Sequence, residues 1–258
     1  EEIYRKLVNL DTKNPNVFSN LAGILQKQNQ NSGVEELLKK AIYLNPQFSE
    51  AYSNLGALYH SQKYFDKAIK YYEKALEINP NYPEANYNLG NALRDTNDNF
   101  NAKKFLKYAI SLRSDYFEAH LNLAIILSKE KKISECLEHL RKITSSKNKN
   151  SHILFLVGKI YLDLQLYRDA INVFQNSLDI DNNNLKSKNS LISTKKQICS
   201  WENYSNDFHE IKKLSDLLDF DQQNKNTYMY FADDLELHSR INKKFAAQNF
   251  GRIKSDFK

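Results

Sequence analysis

Four Asn-Leu steps, Asn20-Leu21, Asn54-Leu55, Asn88-Leu89 and Asn122-Leu123, stand 34 positions apart. A fixed period of that length commits a chain to stacked copies of one small unit, because a single unit cannot bury its apolar face and its neighbours must cover it. The register holds at unrelated positions. Counting units from Pro15, Ser49, Pro83, Phe117, Ser151 and Leu185, the eleventh position reads Leu25, Tyr59, Leu93, Leu127 and Tyr161, and the twentieth reads Val34, Ala68, Ala102, Cys136 and Ala170. The twenty-fourth reads Leu38, Tyr72, Leu106, Leu140 and Phe174, and the twenty-seventh reads Ala41, Ala75, Ala109, Ile143 and Ser177. Small residues recur where helices must approach closely, and large apolar ones recur where they interlock. Positions 4, 7, 8 and 11 lie on one face of a helix. Asn45-Pro46 and Asn79-Pro80 close two units, since a residue before Pro is driven out of helical geometry.

This pattern resembles the tetratricopeptide repeat, a pair of antiparallel helices. The resemblance covers about residues 15–184 and predicts an all-α chain, a tetratricopeptide-repeat superhelix or α-solenoid with a C-terminal helical capping and junction segment. The repeat array is expected over 1–184, with about five full repeats from residue 15. Degenerate repeat and capping helices are expected over 185–218, and a loop and helix over 219–258. Tyr4 and Leu7 occupy the places of positions 24 and 27, so the chain opens in the second helix of an interrupted repeat. It also lacks an initiator Met, which predicts a segment of a longer protein.

Six Gly and four Pro among 258 residues leave little room for linkers. No apolar run reaches the roughly 20 residues needed to span a bilayer, so no membrane contact is expected. The net charge of +6 comes from 37 basic and 31 acidic residues spread over all repeats, which fits a solvated helical surface and no nucleic-acid partner. Cys136 fills a small-residue packing position and Cys199 sits near a helix end. Two unpaired thiols fit a reducing cytoplasm better than a disulfide framework. The six His show no zinc-binding spacing, so no metal site and no cofactor are expected in this chain.

Positions 2, 6, 9 and 13 of each first helix fall opposite the packing stripe and are expected to line a groove. Position 6 reads Asn20, Asn54, Asn88 and Asn122, then Leu156 and Ser190. A primary amide offers one acceptor and two donors, so it can bond both sides of a peptide group without reading the side chain. Neighbouring first helices lie about 8–10 Å apart, the span of three extended residues at about 3.3 Å each. These four amides thus form a candidate binding site for extended polypeptide segments of other proteins. The same amides are equally suited to a purely structural role, bonding a neighbouring turn. A carboxylate clamp is disfavoured, because position 2 reads Asn16, Glu50, Glu84, Glu118 and His152 rather than Lys or Arg.

After Asp181 the pattern decays. Lys186, Lys188, Lys195 and Lys196 make residues 185–198 polar, as a terminal helix should be. Then come Cys199, Trp201 and Tyr204, a loop near 219–226, and a helix opening at Asp233 or Asp234 with Leu237, Ile241 and Phe245 on one face. An array ending in these elements resembles the junction of O-linked N-acetylglucosamine transferases and their SPINDLY-like relatives. Trp201 and Tyr204 are expected to staple the last helix pair in any case. The resemblance implies a following two-lobed catalytic region in the parent protein, with UDP-N-acetylglucosamine as donor. Nothing before Lys258 supplies strand-helix alternation or a phosphate loop, so no catalytic residue is assigned. Three functions stand open at this point. The first is a recruiting superhelix for such a transferase, the second a non-catalytic scaffold, and the third the same array fused to another enzyme such as a sulfotransferase.

Overall fold

In a computed structural model the described residues are 1–9, 12–28, 30, 32–146 and 150–197. Among them every regular element is a helix. The chain divides into two units after residue 184, and of the second unit residues 185–197 are described.

The first unit opens with α1 (Glu2–Asn9) and then repeats a helix pair five times. The first helices are α2 (Pro15–Lys27), α4 (Ser49–Ser61), α6 (Pro83–Asp95), α8 (Phe117–Lys129) and α10 (Ser151–Asp163). Each begins at position 1 of the 34-residue period. Their partners are α3 (Val34–Leu44), α5 (Phe65–Ile78), α7 (Asn99–Leu112), α9 (Ile133–Ser145) and α11 (Tyr167–Ile180). Within the second unit the described element is α12 (Leu185–Gln197), where the Thr194 hydroxyl donates to the Ser190 carbonyl at 2.6 Å.

Packing follows the stripe. Positions 7, 8 and 11 of the first helices are buried in all five pairs, and so are positions 20, 24 and 27 of the second helices. The closest packing lies within pairs, then between one pair's second helix and the next pair's first, except that α10 packs more on α8 than on α9. Successive first helices also touch one another, whereas successive second helices make no comparable contact. An array packed this way curls, with the first helices inside and the second helices splayed on the outer face. Concavity is thus a consequence of unequal packing.

The turn inside each pair has its own period. Lys63, Asn97, Lys131 and Gln165 all adopt left-handed backbone, with φ of 63, 65, 58 and 59°. Each sits one place beyond a helix C-cap, and the N–H of the next residue bonds back to the last turn, as in Tyr64 to the Tyr59 carbonyl at 2.9 Å. This is a Schellman turn, which ordinarily favours glycine at the left-handed position. The first pair differs. Its second helix starts at Val34, three residues later than the period requires, after Gly33 at φ 76°. Hence α3 has 11 residues, against 13 or 14 in the other second helices.

Candidate peptide-binding groove

The asparagine column lies on the first helices, but its members are not equivalent. Asn20 is exposed and its Nδ2 donates to the Tyr4 hydroxyl at 3.1 Å. Asn54 is half-buried, and its Nδ2 donates to the Ser19 hydroxyl of the preceding pair at 3.1 Å. Asn122 is only 7% exposed. Its Oδ1 accepts from Arg94 Nη1 at 2.5 Å and its Nδ2 donates to Asn91 Oδ1 at 3.3 Å. Asn88 is half-buried and makes no side-chain hydrogen bond with any described residue. Three of the amides therefore tie one repeat to the repeat before it, and Asn88 keeps its donors and acceptor for something else.

Polar side chains of the first helices form a connected chain across three repeats. His60 Nε2 lies 3.0 Å from Asp95 Oδ2, and Asp95 Oδ1 receives Arg94 Nη2 at 2.9 Å. Arg94 in turn holds Asn122. Charge-assisted bonds of this kind are short and fix side-chain direction. Beside them Arg113 donates to Glu84 Oε1 at 2.7 Å and lays its guanidinium 3.6 Å over the Tyr116 ring. Tyr87 packs on Tyr116 with ring centroids 4.9 Å apart. Burial, and after it the Glu118 carboxylate, pushes the Tyr87 hydroxyl above its ordinary value. Glu50 and Glu118 are exposed and make no ion pair among the described residues, although Glu50 accepts from the Ser49 hydroxyl. The groove thus offers one uncommitted amide, a rigid polar network, an aromatic pair and carboxylates without a cationic partner.

A second polar feature lies inside the fourth pair. His120, 4% exposed, and His139 meet Nδ1 to Nδ1 at 2.8 Å, and His120 Nε2 lies 3.1 Å from the Ser114 carbonyl. A carbonyl only accepts, so Nε2 of His120 carries hydrogen, its Nδ1 is bare, and Nδ1 of His139 is the donor. Burial holds both imidazoles below the ordinary value. Sequence reasoning passed over this pair because each His occupies a packing position, fourth and twenty-third, where the fifth repeat has Leu154 and Val173.

Among the described residues no group of three or more His, Cys, Asp or Glu could hold a metal ion, and no helix is long and apolar enough to cross a membrane. The Cys136 thiol is buried, pushed up to about 11 by burial, and donates to the Ala124 carbonyl at 3.4 Å. Cys199, Trp201, Tyr204, Asp233, Asp234 and Leu237 lie outside the described residues.

Helix pairs at a 34-residue spacing, with the first helices lining the inner face, define a tetratricopeptide-repeat superhelix. The tetratricopeptide repeat family matches at residues 49–82, 71–104 and 151–184, so these stretches are tetratricopeptide repeats. No curated protein sequence matches the chain. Solved structures similar to it include YrrB, described as a tetratricopeptide-repeat protein with an unusual peptide-binding site. That match has 20% identity and a TM-score of 0.53, and covers 71% of this chain and 95% of that one. A thermophilic protein of the same repeat class from Thermus thermophilus matches at 16% identity and TM-score 0.58, covering 70% and 98%. The Cut9-Hcn1 hetero-tetramer of APC/C matches at 13% identity and TM-score 0.66, over 94% of this chain and 45% of that one. At these identities the likeness establishes the fold.

Proposed function

We propose that this chain is a protein-binding scaffold whose inner groove holds an extended polypeptide segment of a partner, with Asn88 as the central contact. The observation that carries this reading is the unequal state of the asparagine column: Asn54 and Asn122 are spent on holding the array together, and Asn88, between them, is not. A free amide can donate to one peptide carbonyl and accept from one peptide N–H of an extended strand. Tyr87, partly exposed and held in place by the buried Tyr116 ring, then offers an apolar surface next to it in sequence, and Glu50 and Glu118, without cationic partners, favour Lys or Arg in the bound segment.

The test selects short unstructured peptides from a display library against the whole chain and measures their affinity by fluorescence anisotropy. Asn88→Ala should weaken selected peptides by about 0.5–1.5 kcal/mol, the worth of one lost hydrogen bond, with the helical content unchanged. Peptides indifferent to Asn88→Ala would overturn the assignment.

A more specific reading makes the same groove the recruiting arm of an O-linked N-acetylglucosamine transferase-like protein that uses UDP-N-acetylglucosamine. Its support is the Cys199, Trp201, Tyr204 and Asp233, Asp234, Leu237 elements of the sequence. Incubating the intact gene product with labelled UDP-N-acetylglucosamine and a protein extract separates the two. Label on protein hydroxyls supports the transferase, and its absence leaves the scaffold.

A further inference from the structure

Because successive second helices splay apart, the outer face of the array is notched, and between α5 and α7 the notch opens into a hollow of about 640 Å³. Its apolar wall is Leu76, Pro80, Phe105 and Tyr108, and it shares no lining residue with positions 2, 6, 9 or 13 of the first helices. The sequence explains why the hollow falls in this repeat. Position 4 of the first helix is Phe18, Tyr52 and Leu154 in the first, second and fifth pairs, side chains large enough to fill the space beneath the second helix. In the third pair it is Asn86, which also lines the hollow. Its amide turns back to the preceding turn, where Nδ2 donates to the Pro80 carbonyl at 3.0 Å and the Tyr82 carbonyl at 2.9 Å. The volume is that of a ligand-sized site.

The rim is basic. Lys104, Lys107, Tyr108 and Ser111 stand at i, i+3, i+4 and i+7 along α7 and so form one stripe. Both lysines are exposed and neither makes an ion pair among the described residues, although Lys103 beside them is held by Glu130 at 2.5 Å and Lys74 on α5 by Glu77 at 2.5 Å. No carboxylate lines the hollow. Tyr108, 41% exposed, is fixed as one wall by the bond from its hydroxyl to Asn81 Oδ1 at 2.7 Å.

We infer that this hollow is a second binding site, on the outer face, for an acidic partner segment that carries a large apolar side chain. The apolar group seats among Leu76, Pro80 and Phe105, and carboxylates on either side of it meet Lys104 and Lys107. Exposed ion pairs add little affinity by themselves, so the apolar seat supplies the binding and the lysines select the sign of charge and the direction of the segment. Two lysines around an apolar floor are too few for a nucleic-acid track, which needs a row of phosphate contacts.

The probe is a fluorescein-labelled peptide with a central Phe-Leu pair flanked by Glu and Asp, titrated into the whole 258-residue chain. Saturable binding is expected. It should weaken by about tenfold in Lys104→Glu/Lys107→Glu, in Ser111→Trp, whose indole blocks the mouth, and when Phe-Leu becomes Ala-Ala. All three protein substitutions fall on exposed or rim positions of α7, and circular dichroism confirms that the variants fold. Asn88→Ala should leave this affinity unchanged, which separates the outer site from the groove. The inference is overturned if the peptide does not bind, if a Lys-flanked peptide binds as well, if the variants bind like the parent, or if oligothymidylate competes as strongly as the acidic peptide.

Discussion

Replacing Gly158 by Ala tests the packing rule of the array where, among the described glycines, a side chain would meet its neighbours most closely. A methyl group built there meets three ring carbons of Phe174, lying 2.7 Å from Cδ1 and 2.8 Å from Cζ, with Cε1 closer still. Ordinary carbon contacts begin at about 3.5 Å. Phe174 is fully buried, so its ring cannot swing away without displacing other core groups. Overpacking of this kind costs about 1–3 kcal/mol, and the closeness of all three contacts puts it at the upper end. Ala gains about 1 kcal/mol over Gly in a helix interior, leaving a net loss of about 2 kcal/mol. The same two positions in the first and fourth pairs hold Ala22 with Leu38 and Ala124 with Leu140, all buried. Phe174→Leu should therefore rescue Gly158→Ala, with a coupling of about 2 kcal/mol in a double-mutant cycle. Because repeat arrays unfold locally, hydrogen exchange of the α10 and α11 amides is the direct assay, supported by urea unfolding followed by circular dichroism. Additive single effects, or a Gly158→Ala variant as stable as the parent, would refute the reasoning.

The same substitution at Gly23 should act in the opposite sense, stabilising by about 0.5–1 kcal/mol in a urea melt, because a Cβ there meets nothing within 4 Å. Lys131 holds φ 58° in a turn where the third pair uses Asn97; Lys131→Asn should raise stability by up to about 1 kcal/mol, and Lys131→Val should lower it. His120 and His139 bind protons less readily when folded than when unfolded, so their contribution is complete above the unfolded value of about pH 6.5 and is lost as pH falls below it toward their lowered folded values. The charges of Glu135, Glu138, Lys142 and Lys107 act on the pair, the carboxylates opposing and the lysines adding to the effect of burial. Urea midpoints between about pH 8 and pH 5 should fall on acidification, and His120→Leu/His139→Val should flatten the curve. Asn122→Ala, which strips a partner from Arg94, should cost about 1–2 kcal/mol of stability, whereas Asn88→Ala should stay within about 0.5 kcal/mol by the same assay.

Most of the fold was legible because the period is carried by buried residues. Leu55, Leu89 and Leu123 at position 7, and Leu106 and Leu140 at position 24, are read from spacing and are found enclosed. The turn at position 15 was not legible, since Lys63, Lys131 and Gln165 carry no turn preference and are held left-handed by the hairpin that encloses them. The late start of α3 left only Gly33 as a mark. The groove was half legible. Spacing puts four asparagines at one position, but the partners of Asn20, Asn54 and Asn122 come from the preceding repeat and Asn88 has none among the described residues, and two bonds share a rule that sequence alone does not state. Gln26 reaches the Asn54 carbonyl and Arg94 reaches the Asn122 amide, each from position 12 to the next position 6. The imidazole pair and the hollow at Asn86 both arise where position 4 turns polar, a signal visible in the column Phe18, Tyr52, Asn86, His120, Leu154.

The central claim is that Asn88 is the amide the groove keeps for a partner's backbone. Its side-chain NH₂ resonances, followed by heteronuclear NMR during titration with a selected peptide, test that directly. The account predicts large, saturable shifts at Asn88, with Asn54 and Asn122 nearly still because their amides stay bonded to Ser19, Asn91 and Arg94. An unmoved Asn88, with shifts confined to the second helices, would contradict it.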